Sequence, residues 1–342
     1  MRTRLLGAVG DLLEGLKQNL IYVIVTSLVA GLVAGQFMGS GLRSVLKSAV
    51  LPVIFVMIVP MMVNIDLEEL VNIRGHAKPV VLSLVFNFAF VPLLAVGLSQ
   101  TFFGGSPAYA VGLYFIALIP TSGMTAAWTG LAGGDLEASL VAVAVNLIAA
   151  VLVLPTYLSF LVQGAVDFDP ASLYRQLAVV VVVPMVLGTA IRHLLLRRYG
   201  SDGFKTIKPR LGGLSSLGVM LIVFIAMSMR SQSILADPVA SGATVVPLVI
   251  FYAVILGVGS VVGRALLETE QSVAFVYATS MRNLSIAVGI VAASDFLPSE
   301  AVLPIALAYI LQTPIGALYM HYRRDVVAEG MSIREAVGDI GV

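Results

Sequence analysis

The chain has 342 residues, of which 59% are hydrophobic and only 11% charged, with a mean hydropathy of +1.00, a balance that excludes a soluble globular protein. Its 20 Lys and Arg nearly cancel its 19 Asp and Glu, so a net charge of +1 gives no bulk attraction to nucleic acid. Cysteine is absent, which excludes disulfides, thiolate metal sites, haem attachment and a cysteine nucleophile.

Residues 1–19 read as an interfacial amphipathic helix. Leu5, Val9, Leu12, Leu13 and Leu16 recur at helical spacing while Arg4, Asp11, Glu14 and Gln18 lie elsewhere around it. No apolar run and no small-residue cleavage site mark a secretory signal. A hydrocarbon core roughly 30 Å thick needs about 20 apolar residues per helix. On that measure ten spans are predicted, over 20–37, 46–63, 80–103, 109–132, 136–161, 173–191, 211–229, 243–263, 272–293 and 301–320. The expected fold is an all-α polytopic membrane protein. Its longest hydrophilic connection, Arg192 to Arg210, reads as a loop, and 321–342 as a tail.

Positive charge sets the orientation, because short loops rich in Lys and Arg stay cytoplasmic. The two termini and the loops after even-numbered spans hold fifteen such residues, six of them between Arg192 and Arg210. The opposite loops hold four, Arg43, Lys47, Arg175 and Arg230. Both termini are therefore expected in the cytoplasm of a plasma (inner) membrane protein.

The fourth predicted span carries Pro120-Thr121-Ser122-Gly123-Met124 and then Asp135, and the ninth carries Thr279-Ser280-Met281-Arg282-Asn283 and then Asp295. This weak likeness divides the chain into two five-helix halves, 20–162 and 173–320. An odd number of spans per half makes the halves inverted repeats.

Pro120 removes an amide donor and clashes with the preceding turn, and Gly123 relaxes the backbone, so the fourth span is expected to break. A break frees main-chain polar groups, which a membrane tolerates only when they are buried in protein or line a wet cavity. The alternative is a simple proline kink, with Ser and Thr bonded back to the helix. In the ninth span, Arg282 sits about ten residues from either end, too deep to reach the interface easily, at a cost of roughly 2.5–3.5 kcal/mol. It faces either a substrate or, as a helix pin, neighbouring carbonyls and Gln312.

No Asp or Glu falls in the centre of any predicted span, so Arg282 has no evident counter-ion, and an anionic substrate could supply one. The same absence argues against a carboxylate proton relay. His76, His193 and His321 lie at span ends. The substrate-binding set is expected to be Arg282, Asn283, Thr121, Ser122, Thr125, Thr279 and Ser280. Asn87, Asn146, Thr129, Ser285 and Gln312 are expected to bind an ion or support that set, each alone being equally a glue between helices. No metal or cofactor is expected beyond Na+ as a coupling ion, and no nucleic-acid partner. Met57, Met61 and Met62 face lipid or pack. Gly31 and Gly35 permit close helix approach.

These motifs resemble the bile acid:sodium symporter superfamily, which includes the yeast-type arsenite permeases. The resemblance covers about Leu20 to Arg323. Its specific parts are Lys78-Pro79 with Leu82-Ser83-Leu84, Asn87 and Pro92; Pro120 to Met124 with Trp128 and Asp135; Asn146 with Pro155; Pro184 with Gly188 and Arg192; and Met281-Arg282-Asn283. Spans three, four and six look more like the arsenite branch. The resemblance implies ten helices, a crossing of broken fourth and ninth helices, and alternating access. The departures are specific. Where the arsenite branch uses a cysteine and a glutamate, this chain has Thr121 and Asn283, and it lacks the soft ligand arsenite favours. Where the bile acid branch places a sodium-binding glutamate and glutamine, it has Ala278 and Arg282.

The leading expectation is a secondary active transporter of a small, anionic solute, driven by a sodium or proton gradient. An arsenite efflux permease and a non-transporting membrane receptor are the alternatives. No nucleophile, base and orienting group assemble into an enzyme site.

Overall fold

The computed structural model describes residues 20–65, 74–122, 124–162, 170–236 and 238–323. The expected interfacial helix over 1–19, Gly123 and the tail beyond residue 323 lie outside the described residues. Among those described the chain is helical, with no strand. In chain order the helices of eight residues or more are α1 (Leu20–Phe37), α2 (Ser40–Val63), α3 (Ala77–Phe102), α4 (Pro107–Leu118), α5 (Met124–Leu131), α6 (Leu136–Leu161), α7 (170–199), α8 (201–236), α9 (Val245–Leu266), α10 (Thr269–Ser280), α11 (Leu284–Ala293) and α12 (Val302–His321). Among the described residues six helical stretches are long and apolar enough to cross a membrane: Ser40–Val63, Ala77–Phe102, Leu136–Leu161, Pro170–Met229, Ser241–Leu266 and Val302–His321.

Helix starts follow the local chemistry. Pro107 opens α4 and Pro170 opens α7, where a missing amide costs nothing. Asp135 caps α6 by accepting from the Ala138 amide at 2.9 Å. In α3, Pro92 cannot donate to the carbonyl of Phe88, and the helix widens into a π turn over Phe86–Phe90. The Tyr157 hydroxyl of α6 supplies the missing donor to Phe88 O.

One expectation is corrected. Residues 192–210 are not a loop but continuous helix on either side of a single turn at Gly200, whose φ of 69° and ψ of 178° suit only glycine. The Arg192 guanidinium lies 5.0 Å from the Phe204 ring centre, although twelve residues of straight helix would separate them by about 18 Å. The chain therefore reverses at Gly200. The polar run misled because charge alone does not break a helix, and Arg and Lys are good helix formers.

Two close approaches hold α1 to α8. A Cβ on Gly35 would lie 2.2 Å from Ser228 O, and one on Gly31 2.7 Å from Phe224 O. Met57 and Met62 are packing residues: both are buried, and the backbones of Gly218 and Gly188 press against them. On the outer surface the exposed side chains include Tyr22, Val33, Phe37, Leu93, Leu152, Phe160 and Val261. That apolar exterior matches hydrocarbon as its solvent.

Candidate functional site

Both predicted breaks are present, and they meet. Residues 119–122 join α4 to α5 in non-helical backbone, and Met281 to Asn283 join α10 to α11. Pro120 and Arg282 form an isolated antiparallel bridge, in which the Asn283 amide donates to Ile119 O at 3.2 Å. Two segments far apart in sequence thus cross through a single bridged pair of residues. Thr121 sits there with φ of 52°, the left-handed region that branched side chains avoid.

Four helix ends converge on the crossing. The carboxyl ends belong to α4 and α10, the amino ends to α5 and α11. A helix leaves its last four carbonyls and first four amides without internal partners, and carries partial negative and positive charge at those ends. The amino ends are capped locally. Ser122 Oγ accepts from Met124 N at 3.2 Å, Thr125 Oγ1 accepts from Ser122 N at 3.3 Å, and Asn283 Oδ1 accepts from Ile286 N at 3.4 Å.

Arg282 serves the carboxyl ends. Its side chain is 1% exposed, and among the described residues no Asp or Glu stands near it. Nη1 donates to Ala117 O of α4 at 3.3 Å, and Nη2 donates to Thr279 O of α10. The guanidinium carbon lies 5.8 Å from the centre of the Phe251 ring of α9, a cation–π contact. Each helix end is worth up to about 2 kcal/mol to a partly buried cation, and the cost of Arg at membrane depth is about 2.5–3.5 kcal/mol. The two carboxyl ends therefore account for the missing counter-ion. Donors remain to spare: Nε is buried without a partner.

Gln312 of α12 holds the same residue by its main chain, accepting from Arg282 N at 2.7 Å and donating to Arg282 O at 3.2 Å. Tyr252 of α9 donates to the same Gln312 oxygen at 3.1 Å. Asn87 of α3 donates to Ala278 O, another carboxyl-end carbonyl of α10, at 3.1 Å and to Asn146 Oδ1 at 2.9 Å. Asn146 donates in turn to Ser83 Oγ at 2.8 Å.

The crossing thus brings together Thr121, Ser122, Thr125, Thr279, Ser280, Arg282, Asn283 and Gln312. Asn87 and Asn146 form a layer behind it. Thr129 bonds back to Thr125 O of its own helix and lies 3.2 Å from Ser139 Oγ of α6. Ser285 bonds the Tyr309 hydroxyl of α12. Sequence reading missed Tyr252, Phe251 and the carbonyl of Ala117. A phenol inside an apolar span was the one signal available for Tyr252, since a buried hydroxyl needs a partner.

Comparison with known proteins gives the family. Residues 51–237, more than half of the chain, match the model of the Sodium Bile acid symporter family. The chain belongs to this family. It is 25% identical over 248 residues to YbaS of Bacillus subtilis, covering 72% of this chain and 78% of that protein. It is 24% identical over 209 residues to the arsenical-resistance protein Acr3 of Alkaliphilus metalliredigens, covering 57% of this chain and 58% of the relative. It is 23% identical over 250 residues to a probable chloroplastic sodium/metabolite cotransporter, BASS3, of Oryza sativa subsp. japonica, covering 72% of this chain and 57% of the relative. Against the last two the chain spans little more than half their length. The chain is a multi-pass membrane protein of a transporter family.

The family's name implies sodium. A sodium ion between the carboxyl ends of α4 and α10 would compete with the Arg282 side chain for Ala117 O and Thr279 O and would sit against a like charge. These residues do not fit it there.

Proposed function

We propose that the chain is a ten-helix secondary carrier that moves a small anionic solute across the inner membrane by alternating access, driven by an ion gradient, with both termini cytoplasmic. The observation that carries the reading is Arg282: a buried guanidinium with unspent donors, placed where the amino ends of α5 and α11 also point their positive charge. A carboxylate or oxyanion between them would meet planar donors and two helix dipoles. Thr121, Ser122, Thr125, Thr279, Ser280 and Asn283 complete the proposed site, and Asn87, Asn146, Thr129, Ser285 and Gln312 support it.

Ten passes follow if 170–236 crosses twice about Gly200, α1 crosses once, and the pairs α4–α5 and α10–α11 each cross once. Contacts at the two ends support this topology and the inverted repeats. His76 lies 3.3 Å from Asp135, and Asp135 N donates to Glu270 O at 3.0 Å, joining three connections read as cytoplasmic. Lys47 lies 2.8 Å from Asp295, joining two connections read as external.

A thermal-shift panel of keto acids, other carboxylates, bile acids, arsenate and arsenite tests the reading on purified protein. A ligand at about a hundred times Kd stabilises by about 2.7 kcal/mol. The expected result is a shift from one organic or inorganic anion that disappears in Arg282→Ala; a shift that persists in that variant overturns the role given to Arg282. The similarity to Acr3 supports a second reading, arsenite efflux, which a shift from neutral arsenite alone would favour.

A further inference from the structure

We infer that Arg282 is the built-in cation of this carrier: its guanidinium fills from within the chain the place between the carboxyl ends of α4 and α10 that a free monovalent cation would otherwise take, so that transport draws no sodium into the crossing. The inference rests on the reading of the chain as a carrier, but not on the charge of its solute.

Two observations support it independently. The first is the accounting of main-chain oxygens. Carbonyls at the last turn of a helix attract cations because they lack amide partners and sit at the negative pole. Two such ends converge here, and one carbonyl of each, Ala117 O and Thr279 O, is bonded to the same guanidinium, while Asn87 takes Ala278 O and the Asn283 amide takes Ile119 O. The second is the placement of the residue that carries it. Arg282 lies in the break itself, with its amide and carbonyl fixed by Gln312, so the cation cannot leave the site as a free ion would. No described carboxylate draws it there, because Asp135, Glu137, Asp202, Glu268, Glu270, Asp295 and Glu300 all lie at helix ends or connections away from the crossing. A mobile ion bound at such a place would couple its own gradient to the conformational cycle; a tethered one neutralises the helix ends in every state and couples nothing. The driving gradient then has to act elsewhere or be that of another ion.

The test uses detergent-purified full-length protein with no solute added, melted at equal ionic strength in sodium, potassium and choline chloride. The parent is expected to melt at the same temperature in all three. Arg282→Ala is expected to melt lower in choline, and to be restored by low-millimolar guanidinium, far below the molar range in which it denatures, while urea, the neutral isostere, restores nothing. Arg282→Lys, which keeps the charge, is expected to remain insensitive to added cations. Sodium-dependent melting of the parent would overturn the inference even if Arg282→Ala does not fold. So would equal rescue by urea and guanidinium, which would mean that only a void had been filled, and so would an Arg282→Ala protein that is fully stable in choline. None of these measurements contains an anionic solute other than chloride, held constant throughout, so a failed anion panel and a failed cation test are separate results.

Discussion

Gln312 grips Arg282 by both main-chain groups, accepting from its amide at 2.7 Å and donating to its carbonyl at 3.2 Å. An amide side chain of α12 therefore stands in for a strand partner exactly where α10 stops being helix, and the guanidinium is left free to reach the helix ends. Gln312→Leu would strand two buried main-chain groups at about 1–3 kcal/mol each. Tyr252→Phe would remove only the hydroxyl donating to Gln312 Oε1, about 0.5–1.5 kcal/mol. Thermal melts should rank the parent above Tyr252→Phe and that above Gln312→Leu, with the double variant less than additive because the two share one oxygen. Equal melting of Gln312→Leu and the parent would show that the break does not need this clasp.

Thr121 holds φ at 52°, which costs a branched residue about 1–2 kcal/mol. Its hydroxyl returns little, a long contact of 3.4 Å to Val143 O. Glycine relieves the strain while losing about 0.5–1 kcal/mol to backbone entropy. Thr121→Gly should melt at or slightly above the parent, and Thr121→Val, which keeps the strain and loses the hydroxyl, at or below it. The pair is read by thermal melts in one detergent; a Thr121→Gly protein that melts several degrees lower would mean the hydroxyl, not the backbone, fixes the crossing.

The break in the fourth span was legible in Pro120, which loses an amide hydrogen bond and clashes with the preceding turn; the break in the ninth was expected only from the family resemblance, because Arg282 marks a buried charge and not an interrupted helix. What each break touches was legible only in kind: carbonyls and Gln312 were one of the two readings of Arg282, and both are found at it, but nothing said which carbonyls. The partner of Arg282 is a pair of carbonyls, and every residue has a carbonyl, so no composition or spacing marks Ala117 or Thr279 as acceptors. A search for a counter-ion among side chains was bound to find none. The turn at Gly200 was hidden for a related reason: the run from Arg192 to Arg210 is polar, but polarity speaks of solvent and not of backbone, and only the glycine carried the conformational signal. Gly31 and Gly35, in contrast, were readable as close approaches because an apolar helix has few other uses for them.

Those approaches set a contrast that stability can check. A methyl group on Gly35 would meet Ser228 O at 2.2 Å and Ser231 Cβ at 2.5 Å, and one on Gly112 would meet Ala301 O at 2.4 Å. Backbone cannot step aside cheaply, so Gly35→Ala and Gly112→Ala should each cost about 1–3 kcal/mol. Gly97 and Gly257, on α3 and α9, have nothing within 4 Å, and alanine there should leave stability unchanged or raise it by up to about 1 kcal/mol. Melting temperatures of the four single variants decide it; no difference between the two pairs would refute the packing of α1 on α8 and α4 on α12.

The last relationship lies at the opposite end of the molecule from His76. Lys47 on α2 and Asp295 after α11 pair at 2.8 Å across the mouth of a cavity of about 190 Å³, which Val50, Ala226, Met229, Val291 and Val302 line from four helices. Both side chains are largely exposed, 65% and 80%, so the pair is worth at most about 1 kcal/mol and should hardly alter melting. That same energy is large for a balance between two conformations, about a fivefold shift in population. If α2 and α8 move against α11 and α12 during transport, opening this mouth breaks the pair. Lys47→Ala should then change transport rates severalfold and with a salt dependence that the parent shows and the variant lacks. Because the chain has no cysteine, Lys47→Cys with Asp295→Cys creates the only two thiols in the protein, and a cleavable bifunctional reagent can join them cleanly. Joining should stop transport and reduction should restore it. Full transport with the two thiols joined would mean that the cleft stays closed throughout the cycle and that the moving boundary lies elsewhere.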